Sequence, residues 1–138
     1  MRKKLVLIIG VVLATFLTAC SSEYSDKLLV NFAESNNVSC IDDTEGYSHV
    51  DGAVVVKSVI TEDTYIEFWE FDSKDSAYSW KESYTKSLLN NDGIEEIDNG
   101  YLLGNDYYKI TQSGKTCYYV RGASKDIVDS TLTTLGVK

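Results

Sequence analysis

The sequence contains few of the residues that mark familiar catalytic or metal sites. Among its 138 residues there is no proline, three are cysteine and one, His49, is histidine. A Ser-His-Asp triad needs a histidine as its base, and the stretch around Ser48 lacks the second glycine of a nucleophile elbow. Neither a phosphate-binding loop nor a dinucleotide-binding fingerprint occurs. We therefore expect no catalytic residue, no enzyme activity and no cofactor, and His49 is predicted to be a loop residue.

Long apolar runs are also scarce. The one clear run, residues 5–16, is shorter than the roughly 20 apolar residues that a transmembrane helix needs. It follows three cationic residues, Arg2, Lys3 and Lys4. This arrangement is typical of a signal peptide, which is removed on export and takes no part in the fold.

The apolar run leads into Leu17-Thr18-Ala19-Cys20, which resembles the lipobox of bacterial lipoproteins. The resemblance implies cleavage between Ala19 and Cys20, acylation of the Cys20 thiol with diacylglycerol, and labelling by palmitate. It also implies an extracytoplasmic domain that its lipid anchors to the cell membrane. The predicted organisation is a signal peptide over residues 1–19, a lipidated tether over residues 20–25 and one domain over residues 26–138. An ordinary secretory signal and an uncleaved signal anchor are the alternatives.

The charge of the chain is strongly one-sided. Removal of residues 1–19 takes away three of the 13 basic residues and none of the 21 acidic ones, which leaves a net charge of −11. This balance argues against nucleic-acid binding and against electrostatic adhesion to anionic lipid. It suits cations, basic peptides or neutral ligands as partners, or it serves only to keep a surface protein soluble.

Two cysteines remain beyond the lipobox, Cys40 and Cys117. An exported compartment permits disulfides, and an even number of cysteines fits one. We therefore expect a disulfide between Cys40 and Cys117, with two free buried thiols as the alternative. The two are too far apart in the sequence for a CxxC redox motif.

Sequence patterns predict three helices and two hairpins. Apolar residues recur at helical spacing over residues 26–36, from a capping sequence at residues 72–75 to about residue 90, and over about residues 125–135. β-Branched and aromatic residues predict strands over residues 54–60, 65–71, 107–111 and 116–121. Further short strands are expected beside the Asn99-Gly100 turn, whereas residues 39–52 are expected to be irregular.

These elements predict an α+β fold in the order α-β-β-α-(β)-β-β-α. We expect an antiparallel sheet of four to five strands, with helices mainly on one face. With Ser113-Gly114 as the last hairpin loop, Ile110 would face Cys117 and Tyr108 would face Tyr119. This layout is similar to that of small uncharacterised cell-envelope lipoproteins of Gram-positive bacteria, a likeness that implies no activity.

Tyrosine is abundant, with ten residues in the chain. Exposed aromatic side chains are common at recognition surfaces because they give a large contact area at low entropy cost. We therefore predict a non-catalytic binding or interaction surface on the sheet, formed by Tyr65, Trp69, Tyr107, Tyr118 and Arg121. Arg121 would orient an acidic group of a ligand or neutralise nearby carboxylates. The alternative is that these are ordinary sheet residues, since tyrosine has a high β-propensity.

Two other functions remain open. Hard cations such as calcium prefer several oxygen ligands. The segment richest in such ligands is the loop from Asp42 to Asp51. If it binds a cation, the protein is a cation-binding protein or a metal-dependent hydrolase; the alternative is a solvated acidic loop without a bound ion. Its candidate residues are Asp42, Asp43, Glu45, His49 and Asp51. The acidic charge would alternatively suit an inhibitor or immunity-type protein that blocks a basic exported enzyme.

Overall fold

The computed structural model describes residues 23–138. The lipobox, with Cys20, and the expected signal peptide lie outside these residues. Within residues 23–138, no helix is long and apolar enough to cross a membrane.

The described chain forms three α-helices, seven β-strands and one 3-10 turn. The helices are α1 (Asp26–Ser35), α2 (Lys74–Leu89) and α3 (Lys125–Thr134). The strands are β1 (Ile41–Asp42), β2 (Ala53–Ile60), β3 (Thr64–Phe71), β4 (Glu95–Ile97), β5 (Gly100–Leu103), β6 (Asp106–Ser113) and β7 (Thr116–Gly122), and the 3-10 turn is Thr44–Tyr47.

Each helix begins at a serine whose side chain accepts a backbone N–H of the first turn. Ser25 accepts from Lys27, and Ser124 accepts from Ile127. At the start of α2, Ser73 accepts from Ser76. These bonds satisfy N–H groups that have no partner within the helix, and they therefore favour a helix start at each serine. The predicted starts of the three helices are confirmed.

All seven strands belong to one antiparallel sheet in the order β1-β2-β3-β7-β6-β5-β4. The prediction of an α+β fold with an antiparallel sheet is confirmed, but the expected count of four to five strands is wrong. The expected element order is also wrong, because the helices and strands follow one another as α-β-β-β-α-β-β-β-β-α. The additional strand β1 lies in the segment that we expected to be irregular, and it has only two residues. Two residues are too few to show the alternation that marks a strand. Both edge strands are short, since β4 at the other edge has three residues.

Helices cover both faces of the sheet. Helices α1 and α3 pack on one face over a core that includes Ile66, Phe68 and Val120. Helix α2 packs on the opposite face over Trp69, Tyr108 and their neighbours. Two of the three helices thus share one face, as expected, whereas the covering of the other face by α2 was not predicted. The cause is visible in β3 and β7, whose side chains are largely buried on both faces.

The disulfide that we expected between Cys40 and Cys117 is not formed, and both residues are free thiols. Cys40 packs against the core beneath α1 and α3, whereas Cys117 belongs to the core beneath α2. The sheet lies between these two cores and therefore separates the two thiols.

Candidate functional site

The register of the β6–β7 hairpin determines which side chains meet on the sheet. Ser113 pairs with Thr116, so Gly114 and Lys115 form a two-residue turn. Gly114 has a φ of +58°, which suits the first position of such a turn. The expected Ser113-Gly114 loop was therefore wrong, and the register moves by two residues. Tyr108 consequently pairs with Arg121 rather than with Tyr119.

One row of directly opposed residues crosses six strands near the end of the sheet that lies away from this turn. Directly opposed residues point to the same face of an antiparallel sheet. The row contains Ile60, Tyr65, Arg121, Tyr108, Tyr101 and Glu96. We call it the distal row, and it lies on the face that α2 covers.

Arg121 is the centre of the distal row. Its side chain is exposed, and its guanidinium carbon lies 5.8 Å from the ring centroid of Tyr65 and 5.9 Å from that of Tyr108. Both distances are in the range of a cation–π contact. Within residues 23–138, every side-chain ion pair is made by a lysine, so Arg121 does not neutralise a nearby carboxylate through a salt bridge. Two aromatic rings thus hold a cation that faces solvent.

A cleft of about 190 Å³ opens beside Arg121. It lies between the β2–β3 turn, the start of β6 and the end of β7, and its wall includes Ile60, Glu62, Asp63 and Asp106. Ile60 is 58% exposed, the largest value among the exposed large hydrophobic residues of the described chain. The cleft therefore combines one cation, three carboxylates and an exposed apolar side chain.

The turn that borders the cleft is tied down by hydrogen bonds. The Asp63 carboxylate accepts from the hydroxyls of Thr61 at 3.2 Å and Thr64 at 3.0 Å. The backbone carbonyl of Asp63 also accepts from the N–H of Ala123 at 3.2 Å, which links the turn to the end of β7. These bonds give the cleft a defined wall.

A buried carboxylate, Glu67, lies next to the distal row and bonds to one of its members, Tyr65. Glu67 is 5% exposed and accepts hydrogen bonds from the Tyr65 hydroxyl and, at 2.9 Å, from the indole nitrogen of Trp69. Burial and the adjacent Glu67 carboxylate raise the pKa of Tyr65, because a phenolate there would lose hydration and be repelled. Tyr65 therefore stays a neutral donor, and its ring is fixed beneath Arg121.

Sequence reasoning missed Glu67, although a signal was present. A glutamate stands between two aromatic residues, Tyr65 and Trp69, that share its face at positions two residues away. The other residues on this face of β3 are aromatic, and a charged side chain that is buried among them needs a hydrogen-bonding partner. The two flanking aromatic residues are those partners.

The aromatic residues form a continuous array beneath α2. Trp80 of α2 lies 4.6 Å from Trp69 and 5.1 Å from Tyr84, measured between ring centroids. Tyr84 lies 4.9 Å from Tyr119, and Tyr119 lies 6.0 Å from Tyr65. The array thus links the helix to the distal row.

Three of the five residues predicted to form a binding surface are instead core residues. Trp69 is 2% exposed, Tyr107 1% and Tyr118 0%. Tyr107 and Tyr118 also lie on the opposite face, beneath α1 and α3. These three side chains therefore pack within the domain and are not accessible to a partner. The structure brings only Tyr65 and Arg121 together at an accessible position.

In the acidic segment proposed as a cation site, two carboxylates accept hydrogen bonds from neighbouring protein groups. Asp42 accepts from the backbone and hydroxyl of Thr44 at 3.0 and 2.6 Å, which lowers the pKa of Asp42. Asp43 accepts from the hydroxyl of Ser58 at 2.6 Å. His49 is exposed and stacks on Tyr47 at 6.3 Å. In the described part of the chain, no group of three or more acidic, histidine or cysteine side chains could hold a metal ion.

Comparisons with known proteins give no relative for this chain. No protein-family model matches it, and neither a curated protein nor a solved structure is significantly similar.

Proposed function

We propose that this protein is a lipid-anchored extracytoplasmic binding domain, and that it recognises a peptide or protein partner at the cleft beside Arg121. The lipobox resemblance of Leu17-Thr18-Ala19-Cys20 supports the anchor. Two or more acyl chains attach a protein stably to a bilayer, where one chain alone binds reversibly.

The observation that carries the proposal is the position of Arg121 between the rings of Tyr65 and Tyr108. An arginine loses side-chain freedom when it is bound, and a guanidinium that is already held loses less. Tyrosine and arginine are also the residue types that contribute most often to binding energy at protein interfaces. Ile60 adds an exposed apolar contact in the same row.

The charges of the cleft indicate which charge its partner should carry. Arg121 fits a single carboxylate or main-chain carbonyl of the partner. Glu62, Asp63 and Asp106 surround it, so a partner with a net positive charge is favoured over an anion. A basic exported protein or peptide that presents one carboxylate near its binding surface meets both conditions.

Paired capture experiments test the cleft. The variant Arg121→Ala/Ile60→Ser should lose a partner that the unchanged protein retains from an extract of exported proteins, with at least about a tenfold drop in retention. The matched control is Lys27→Ala/Ile41→Ser, which changes a lysine and an isoleucine that are exposed elsewhere. If all three proteins retain the same partners equally, the cleft is not the binding site.

The anchor has a separate test. Labelling of cells with a palmitate analogue should mark the protein, and Cys20→Ala should lose both the label and the membrane association. A Cys20→Ala chain that stays in the membrane fraction would overturn the proposed anchor while leaving the cleft experiment unaffected.

A second candidate is an inhibitor or immunity-type protein for a basic exported enzyme. The observation that favours it is the group of three carboxylates at the cleft, together with the net charge of −11 expected after residues 1–19 are removed. Such a complex should weaken strongly as salt concentration rises, since exposed charges are screened within about 8 Å at physiological ionic strength. Loss of the enzyme's activity in the complex separates this function from simple binding.

A further inference from the structure

The first described residues are fixed to the domain at the β6–β7 turn. The backbone N–H of Lys115 donates to the Glu23 carboxylate, and the backbone N–H of Tyr24 donates to the Thr116 hydroxyl at 2.8 Å. The Tyr118 hydroxyl donates to the carbonyl of Ser25 at 3.2 Å. Residues 23–25, which belong to the expected tether, are therefore bound to the sheet.

Packing reinforces these hydrogen bonds. The rings of Tyr24 and Tyr118 lie 5.3 Å apart. Glu23 fits so closely against Gly114 that a Cβ on this glycine would lie 2.5 Å from the Glu23 carboxylate. We call residues 23–25 with their contacts on residues 114–118 the clasp.

The clasp places the expected lipid close to one end of the sheet. Only Ser21 and Ser22 lie between Cys20 and Glu23. A fully extended chain spans at most about 3.6 Å per residue, so Cys20 lies within roughly 11 Å of Glu23. A lipid on Cys20 must therefore enter the bilayer beside the β6–β7 turn.

The cleft lies at the opposite end. Strand β7 runs from Thr116, beside the clasp, to Gly122, which lines the cleft. At about 3.3 Å per residue, this strand separates the two ends by roughly 20 Å. Asn105, in the β5–β6 turn, lies at the cleft end as well, because Tyr107 pairs with Gly122.

We propose that the β6–β7 turn faces the membrane and that the Arg121 cleft lies about 20 Å farther from it, towards the aqueous phase. This inference rests on the proposed lipid at Cys20. The partner is then a protein or peptide that approaches from solution or from an opposing surface. A lipid headgroup of the same membrane cannot reach the cleft in this orientation.

Fluorescence quenching by the bilayer measures the orientation. The full chain with Cys40→Ser is purified from membranes and reconstituted in vesicles that carry a quencher on the lipid headgroups. A fluorophore is attached to Lys115→Cys or to Asn105→Cys, while Cys117 is buried and does not compete for the label. We expect quenching to be several-fold stronger at position 115 than at position 105.

A variant pair tests the clasp itself. Glu23→Ala/Tyr24→Ala removes its carboxylate and its ring, and the difference in quenching between the two positions should fall to less than half. The matched control, Glu34→Ala/Tyr78→Ala, changes an exposed glutamate and an exposed tyrosine outside the clasp and should keep the full difference.

The outcomes separate this inference from the proposed function. Equal quenching at both positions in an acylated chain, or stronger quenching at position 105, overturns the orientation and leaves the anchor standing. A chain recovered without acyl groups overturns both. A clasp variant that keeps the full difference shows that residues 23–25 do not set the orientation.

Discussion

The indole nitrogen of Trp69 donates a hydrogen bond of 2.9 Å to the carboxylate of Glu67, which is buried and has no lysine or arginine partner within the described residues. Within residues 23–138, its hydrogen bonds come from the Trp69 indole and the Tyr65 hydroxyl, which replace the water that this carboxylate loses on burial. The bond thus couples the core beneath α2 to the ring that holds Arg121.

Substitution Glu67→Gln should lower the free energy of unfolding by about 1–3 kcal/mol, because the amide group turns an N–H towards one of two donors that then has no acceptor. Urea denaturation measures the change. The matched control is Glu70→Gln on the same strand, on the other face and only partly buried. If both variants unfold at the same urea concentration, the hydrogen bonds of Glu67 contribute nothing to stability.

The two described cysteines should differ sharply in reactivity. Cys117 is fully buried, and burial raises the pKa of its thiol to about 12, whereas Cys40 is only partly buried. In a Cys20→Ala chain at pH 8, a thiol reagent should modify Cys40 before unfolding and Cys117 only after it. Mass spectrometry counts the modified thiols. Failure to modify either residue in denaturant without a reductant would show a disulfide and contradict the fold.

Stability should fall at alkaline pH. Burial raises the pKa of Cys117 from 9.0 to about 12 and raises those of Tyr118 and Tyr119 above 10. The folded state therefore holds these protons more tightly than the unfolded state. Their contribution to the free energy of unfolding is complete below about pH 9. It is lost as the pH rises through the higher pKa values that these groups have in the folded state.

Urea midpoints between pH 7 and pH 11 measure this loss, and absorbance at 295 nm reports phenolate formation. We expect the buried tyrosines to ionise only as the protein unfolds. Tyr119→Phe should reduce the alkaline fall, whereas Tyr78→Phe, at an exposed position, should leave it unchanged. Ionisation of every tyrosine near pH 10 in a folded chain would contradict the burial of Tyr118 and Tyr119.

The β4–β5 hairpin depends on the close approach of Gly100 and Tyr107. The Tyr107 hydroxyl donates to the carbonyls of Ile97 at 2.8 Å and Asp98 at 3.0 Å, and a Cβ on Gly100 would collide with the same hydroxyl. Gly100→Ala should therefore lower the free energy of unfolding by about 1–3 kcal/mol. Gly46→Ala, where an added Cβ meets nothing within 4 Å, is the control. Thermal unfolding of the two variants at the same temperature would contradict the contact.

Local signals predicted the helices and the long strands well. The serine caps at Ser25 and Ser124 mark helix starts within a few residues of the chain itself. At the end of α3, Gly136 has a φ of +83° and the N–H of Val137 donates to the carbonyl of Leu132, which is the usual geometry of a glycine C-cap. Such features depend on neighbours in the sequence and can be read from it.

The sequence predicted Tyr65 and Arg121 as members of the candidate site, but it could not predict their contact, which depends on pairing between distant segments. Arg121 meets Tyr65 only because β7 lies beside β3, and no short-range pattern specifies that pairing. Tyr107 and Tyr108 look equivalent in the sequence, yet they point into different cores. The two-residue turn at Gly114 could have been recognised, since glycine at the first turn position is a known hairpin signal.

If Cys20 carries a lipid, as proposed, the short edge strands have a consequence for neighbouring copies of the protein on the membrane. Anchored copies share a two-dimensional surface and meet one another with their sheets in similar orientations. A long unpaired edge would then invite strand-to-strand association between neighbours. Strand β1 offers two residues and β4 offers three, and Glu95 and Glu96 make the second edge acidic. This sheet therefore resists aggregation under the crowded conditions that its own anchor would create.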